Sequence, residues 1–253
     1  MRPAYYNEYD PFAAAWLRSL IAAGHIAPGD VDERSITDVQ ATDLVGYGQC
    51  HFFAGIGGWS LALRLAGVPD DVPVWTGSCP CQPFSSAGKG AGTADARHLW
   101  PELRRLIAER RPPAVFGEQV ASGLGRTWLA AVRLDLEELG YGVGAADLCA
   151  AGVGAPHIRQ RLWWGAADAG SFGVAGLRTS GSAGQVRPWG AFGAVDLREV
   201  IDRPFDSGAG ERRPRVLAVA HGLPGRVGRL RGYGNAIVPA VGAAFVTAFL
   251  EAA

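Results

Sequence analysis

A chain of 253 residues, 48% of them hydrophobic, has material for one large domain with its own core plus a small appendage. Lys+Arg and Asp+Glu are equal at 24 each, so the net charge is zero and no global field marks the protein as acidic or basic. No apolar run approaches the ~20 residues that span a bilayer, and Met1 to Asp10 lacks a secretory apolar region. Four cysteines without paired Cys-x-x-Cys spacing argue against a structural zinc site and a disulfide scaffold. A reduced, cytoplasmic enzyme without membrane contact or metal is therefore expected.

In chain order, Ala4 to Asn7 reads as a short strand, and Pro11 suits the first position of a helix over Phe12 to Ala23. A loop through Gly29-Asp30 leads to Ser35-Ile36-Thr37-Asp38-Val39, read as another strand end. Gln49 to Ala54 has the apolar character of a buried strand. Gly55-Ile56-Gly57-Gly58 and an apolar helix, Trp59 to Ala66, follow it. Val72 to Thr76 is a strand that delivers Gly77-Ser78-Cys79-Pro80-Cys81-Gln82-Pro83-Phe84-Ser85. An amphipathic helix from Arg97 to Arg110 stops at Pro112-Pro113, and strand Ala114 to Phe116 delivers Glu118. Gly125 to Leu139 is helical, Gly140 to Gly154 holds one or two strands, and His157 to Gly165 is strand-like.

Alternating strands and helices predict an α/β domain with a parallel sheet covered on both faces. From Asp168 to about Gly210, Gly, Ser and Arg dominate and periodicity fades. Order returns at Gly234-Asn235-Ala236-Ile237-Val238-Pro239 and an apolar helix, Ala240 to Leu250. The division expected is a catalytic and cofactor-binding domain over 1–167, rejoined by 230–253, with a loop-rich recognition subdomain over 168–229. Between Arg203 and Arg231 seven arginines face only Asp206 and Glu211. Codon bias is one reading of that excess; bidentate contact with phosphate and guanine is the other.

Chemistry concentrates at four places. Glycines between strand and helix let a ligand approach the backbone, and the helix N-terminus favours negative charge. The spacing is not the dinucleotide fingerprint, so a plain tight turn stays open. Cys81 sits in a polar Pro/Gln/Ser loop rather than an apolar run, which suggests a reactive thiol; Cys79 reads as structural. Glu118, 37 residues further on, directly follows a buried-type strand, where desolvation raises a carboxyl pKa as a proton donor requires. Arg159 and Arg161 flank Gln160 in an extended segment and would share one face. They are read as anion or base ligands, with a structural ion pair as the plainer alternative.

Together these segments resemble the DNA cytosine-C5 methyltransferase family, as found in phage and restriction systems, over most of the chain outside 168–210. Phe53-Ala54-Gly55-Ile56-Gly57-Gly58 is similar to the family's cofactor loop, and Pro80-Cys81-Gln82 matches its nucleophile motif. The segment ending at Arg97-His98-Leu99 resembles the one whose leucine lies near the cofactor. Glu118-Gln119-Val120 stands where the family has Glu-Asn-Val, and His157-Ile158-Arg159-Gln160-Arg161 where it has Gln-x-Arg-x-Arg. Gly234-Asn235-Ala236 resembles the closing motif that returns to the cofactor pocket. Glu8-Tyr9 and Ser35-Ile36 resemble the strand ends that hold the ribose and adenine. In the family both follow the glycine loop, whereas here both precede it.

The resemblance implies a Rossmann-like adenosyl-methionine-dependent sheet. It implies S-adenosyl-L-methionine held by Phe53 to Gly58, Glu8, Tyr9, Ser35, Ile36, Pro80, Leu99, Asn235 and Ala236. Cys81, Glu118, Arg159 and Arg161 would be catalytic, and Gln82, Ser85, Arg97, Arg226, Arg229 and Arg231 would contact double-stranded DNA. It further implies a monomer in a bacterial cell, of host or phage origin, with a cognate restriction endonuclease as a candidate partner. RNA methylation and a catalytically inactive DNA-binding relative are the alternatives. Gln119, His157 and Ser35 depart from the family pattern.

Overall fold

The computed structural model describes residues 3–80, 99–155, 157–168 and 236–252. Among them a seven-stranded sheet runs β2-β1-β3-β4-β5-β7-β6. Its strands are β1 (Ala4–Asn7), β2 (Gly29–Asp32), β3 (Gln49–Phe52), β4 (Val74–Gly77), β5 (Ala114–Val120), β6 (Tyr141–Leu148) and β7 (Arg161–Asp168). The helices are α1 (Pro11–Ala22), α2 (Gly58–Leu65), α3 (Trp100–Arg110), α4 (Gly123–Glu138) and α5 (Pro239–Ala252). The first five strands in spatial order pair in parallel. β7 lies antiparallel between β5 and β6, so the sheet is mixed rather than wholly parallel.

Local chemistry accounts for the entry to α1. Asp10 accepts from Phe12 N at 3.0 Å and Ala13 N at 3.1 Å, and Pro11 occupies the first helical turn. The strand expected at Ser35–Val39 is instead a 3-10 turn, Ile36–Asp38, capped by Ser35. The strand itself lies upstream, at Gly29–Asp32, where its polar residues suit an edge position.

Alternating side chains divide the core in two. Tyr5, Cys50, Phe52, Trp75, Val115 and Trp164 point to one face, with Trp100 and Leu103 of α3, Trp128 of α4, and Ile36 and Leu44 of the β2–β3 connection. Val74, Ala114, Phe116 and Trp163 point to the other, under Trp59 and Leu63 of α2 and Phe245 of α5; Ala4 and Tyr6 meet α1 there.

This division gives the hand of each connection. α1 leads from β1 toward the β2 edge across the second face. The β2–β3 connection, α3 and α4 lead the opposite way across the first face, so all four connections share one hand. α2 also lies on the second face, yet leads from β3 to β4, away from the β2 edge. It therefore has the opposite hand. Since parallel connections are overwhelmingly right-handed, β3-α2-β4 is the left-handed exception.

Candidate active site

Every segment singled out above that falls within the described residues reaches the C-terminal edge of the parallel strands. β3 ends in Phe53, at φ 52°, followed by Gly55 and Gly57 at φ 56° and 81°. Both glycines need left-handed backbone that a side chain resists. A Cβ on Gly55 would meet nothing within 4 Å, so open space lies above the turn. Gly57 caps α2, and Gly58 begins it.

The N-terminal strand, β1, grips this turn directly. Asn7 O accepts from Ala54 N at 3.0 Å, while Glu8 Oε2 accepts from Gly55 N at 2.7 Å and Glu8 Oε1 from Asp10 N at 2.8 Å. Sequence reasoning assigned Glu8 to a ligand; it did not foresee that its carboxylate also binds the glycine turn. Tyr9 beside it is 74% exposed, a bare ring at the rim. Ser35 accepts from Thr37, and Ile36 is buried in the first core cluster. Ala54 is buried, Ile56 packs with Tyr6 and α1 on the second face, and Phe53 and Leu99 pack on the first. Pro80 is half-buried. Cys81, Gln82, Ser85, Arg97, Arg226, Arg229, Arg231 and Asn235 lie outside the described residues.

Glu118 is inside β5 rather than after it, paired across to Trp163 of β7, and 8% exposed. Close strands make this possible, because a Cβ on neighbouring Gly117 would stand 2.2 Å from Trp164 and 2.7 Å from Gly77 O. Arg161 Nε reaches Glu118 Oε1 at 2.6 Å. Burial pushes the Glu118 carboxyl above its ordinary pKa, opposed by Arg161, by Arg159 and by a hydrogen bond from Ser78. Desolvation is the larger influence, so the carboxyl stays above its ordinary pKa.

The two arginines do not share a face of one extended segment. Arg159 has a left-handed backbone, at φ 34°, and its guanidinium donates to Ala236 O, whereas Arg161 opens β7. Arg161 is the ligand of Glu118; Arg159 ties the entry of α5 to the site. Gln119 is buried, its Oε1 accepting from Val120 N at 3.0 Å, while its Nε2 has no partner among the described residues. His157 is exposed. Cys79 is buried, which pushes its thiol pKa up and suits the structural role. Among the described residues no group of three or more His, Cys, Asp or Glu could hold a metal ion.

A doubly wound α/β sheet whose chain reverses its direction of travel at β2 defines a class that binds ligands in the crevice at its carboxyl edge. Residues 66–171 match the family described as C-5 cytosine-specific DNA methylase. It is 42% identical over 89 residues to the Type II methyltransferase M.BanI of Aneurinibacillus aneurinilyticus, covering 33% of this chain and 21% of that one. M1.ScrFI of Lactococcus lactis subsp. cremoris is 39% identical over 101 residues, covering 38% of this chain and 25% of its own. M.HhaI of Haemophilus parahaemolyticus is 28% identical over 174 residues, covering 53% of this chain and 50% of its own. The chain thus spans from about a fifth to half the length of these relatives.

Proposed function

We propose that the protein methylates C5 of cytosine in double-stranded DNA, with Cys81 as nucleophile and S-adenosyl-L-methionine as methyl donor. The observation that carries this reading is the buried Glu118–Arg161 pair at the carboxyl edge, one strand away from the β4 exit that leads through Pro80 into Cys81. The relatives' names, all Type II methyltransferases, support it.

The residues present fit the donor. Open space above Gly55 admits a ligand close to backbone, the exposed Tyr9 ring offers a stacking face, and Glu8 stands beside the turn. Carboxylate oxygens accept more than one hydrogen bond each, so holding Gly55 leaves the ribose role of Glu8 compatible. Phe53 to Gly58, Glu8, Tyr9, Ser35, Ile36, Pro80, Leu99, Asn235 and Ala236 would form this pocket. When bound, the donor supplies an electrophilic methyl group.

The target cytosine must leave the duplex to be reached, at a cost of a few kcal/mol. The Cys81 thiolate then adds to C6 while Glu118 protonates N3, and Arg161, with Arg159 nearby, holds O2. The density so raised at C5 would take the methyl group from the bound donor, which would leave as S-adenosyl-L-homocysteine, while the N3 proton returns to Glu118. Loss of the C5 proton restores the double bond and expels Cys81 as thiolate. Residues 168–229 would carry target recognition, with Gln82, Ser85, Arg97, Arg226, Arg229 and Arg231 on DNA.

Expression in a methylation-free host followed by bisulfite sequencing tests this reading. Protected cytosines in one sequence context support it; none, with folded protein present, refutes it. Cys81→Ala should abolish the protection, and Glu118→Gln should slow methylation by ~10²-fold or more in vitro.

A further inference from the structure

Ser78 was unremarked in the sequence, a small polar residue between a strand and the Cys-Pro-Cys turn. Its place in the fold is specific. The β4–β5 register pairs Thr76 with Phe116, and carrying it forward sets Ser78 beside Glu118. Trp59 Nε1 donates to Ser78 Oγ at 2.9 Å, and Ser78 is hydrogen-bonded to the Glu118 carboxyl. An indole N–H can only donate. It therefore takes up acceptor capacity on Ser78 and leaves the hydroxyl proton to be given to Glu118.

Trp59 is itself fixed. It is 3% exposed, meets Trp163 edge-on at 5.4 Å between ring centres and stacks on Phe116 at 6.4 Å. Trp163 and Phe116 are in turn the cross-strand partner of Glu118 and its neighbour two residues back on the same face. Trp59 is also the second residue of α2, directly after the glycine turn.

We propose that Ser78, oriented by Trp59, is a positioning residue for Glu118: it grips the carboxyl from β4 while Arg161 grips it from β7, and so ties the acid to the helix that opens the donor crevice. The proposal deepens the functional reading above and rests on it for its catalytic meaning. A merely structural Ser78 would satisfy Trp59 and leave Glu118 indifferent. The relay makes Glu118 sensitive to both residues. A donor aimed at a carboxylate favours its charged form, so removing it shifts Glu118 further toward the neutral acid.

The test titrates the Glu118 carboxyl by ¹³C NMR in side-chain-labelled full-length protein, assigned by its loss in Glu118→Gln. In Ser78→Ala the titration should move to higher pH, in Trp59→Phe it should move the same way by less, and Ser78→Thr, which keeps a hydroxyl, should restore it. In methylation assays the alkaline limb of kcat should move upward in Ser78→Ala, with kcat down on the order of tenfold and KM for DNA unchanged. If Ser78→Ala does not fold, Trp59→Phe and Ser78→Thr carry the comparison. Identical Glu118 titrations in wild type and the hydroxyl-removing or indole-removing variants overturn the proposal, even where wild type methylates DNA. A shifted titration in a protein that never methylates DNA upholds the relay and refutes the function instead.

Discussion

Glu118 is asked to be buried, to be near two guanidinium groups and to donate a proton, and these demands pull its charge in opposite directions. Desolvation favours the neutral acid; Arg161 at 2.6 Å and the Ser78 hydroxyl favour the carboxylate. A second buried group shows the simpler case. His51 stacks on Tyr6 at 4.9 Å between ring centres, with Nδ1 2.8 Å from Thr76 Oγ1 and Nε2 3.2 Å from Gln49 Oε1. Burial lowers its pKa to about 3, so it stays neutral in the native sheet. Because the unfolded chain takes up the proton first, His51 contributes full stability above about pH 6.5 and loses it as pH falls toward 3. Glu118, with its raised pKa, works the other way over the acid range. Urea unfolding of Glu118→Gln should therefore lose about 2 kcal/mol between pH 7.5 and 5, more than wild type loses. His51 ring signals should not titrate over that interval in the native protein; titration near 6.5 would contradict its burial.

At the scale of elements, the parallel strand ends meet where glycines remove side chains. Gly117→Ala should be severe, because its Cβ would overlap the Trp164 ring and Gly77 O, neither able to withdraw without parting β4, β5 and β7. A loss of ~3 kcal/mol or more, or insoluble protein, is expected, while Gly123→Ala, with nothing within 4 Å, should melt within a degree or two of wild type. Much of this layer was legible beforehand. Ala4–Asn7 and the Pro11 helix start follow from local chemistry alone. The edge strand Gly29–Asp32 was not, because polar residues suffice where little is buried, and apolar Ile36 and Val39 drew the reading downstream into a packed 3-10 turn. β5 ran past its apolar stretch for the opposite reason: Glu118 and Gln119 are polar yet buried, which only their cross-strand partners explain.

For the whole molecule, chain order and spatial order have come apart. Motif content in the sequence was enough to place Glu8 beside the glycine turn, since a strand end can serve the same edge from anywhere in the chain. The reversed crossover of α2 could not be read that way, because handedness depends on which face each helix covers. The roles of Arg159 and Ser78 were hidden too: one depends on a left-handed residue, the other on a cross-strand neighbour. Under the proposed function, the arginine-rich stretch up to Arg231 would supply the electrostatic part of DNA binding. Affinity should fall as salt rises, and replacing Arg226, Arg229 and Arg231 together by Ala should make the log–log slope shallower by roughly 0.9 per lost phosphate contact. An unchanged slope, measured by fluorescence anisotropy on one duplex, would remove those residues from the interface.

In the proposed reaction a thiolate at position 81 bonds to C6 of an extruded cytosine while Glu118 protonates N3. Duplex DNA bearing 5-fluorocytosine at the methylated position, incubated with the protein and methyl donor, tests it most directly, since the fluorine cannot leave as the proton does. A denaturation-resistant complex whose DNA-bearing peptide contains Cys81, lost in Cys81→Ala, is the predicted result. Methylation of normal DNA with no such complex, or attachment at another residue, would contradict it.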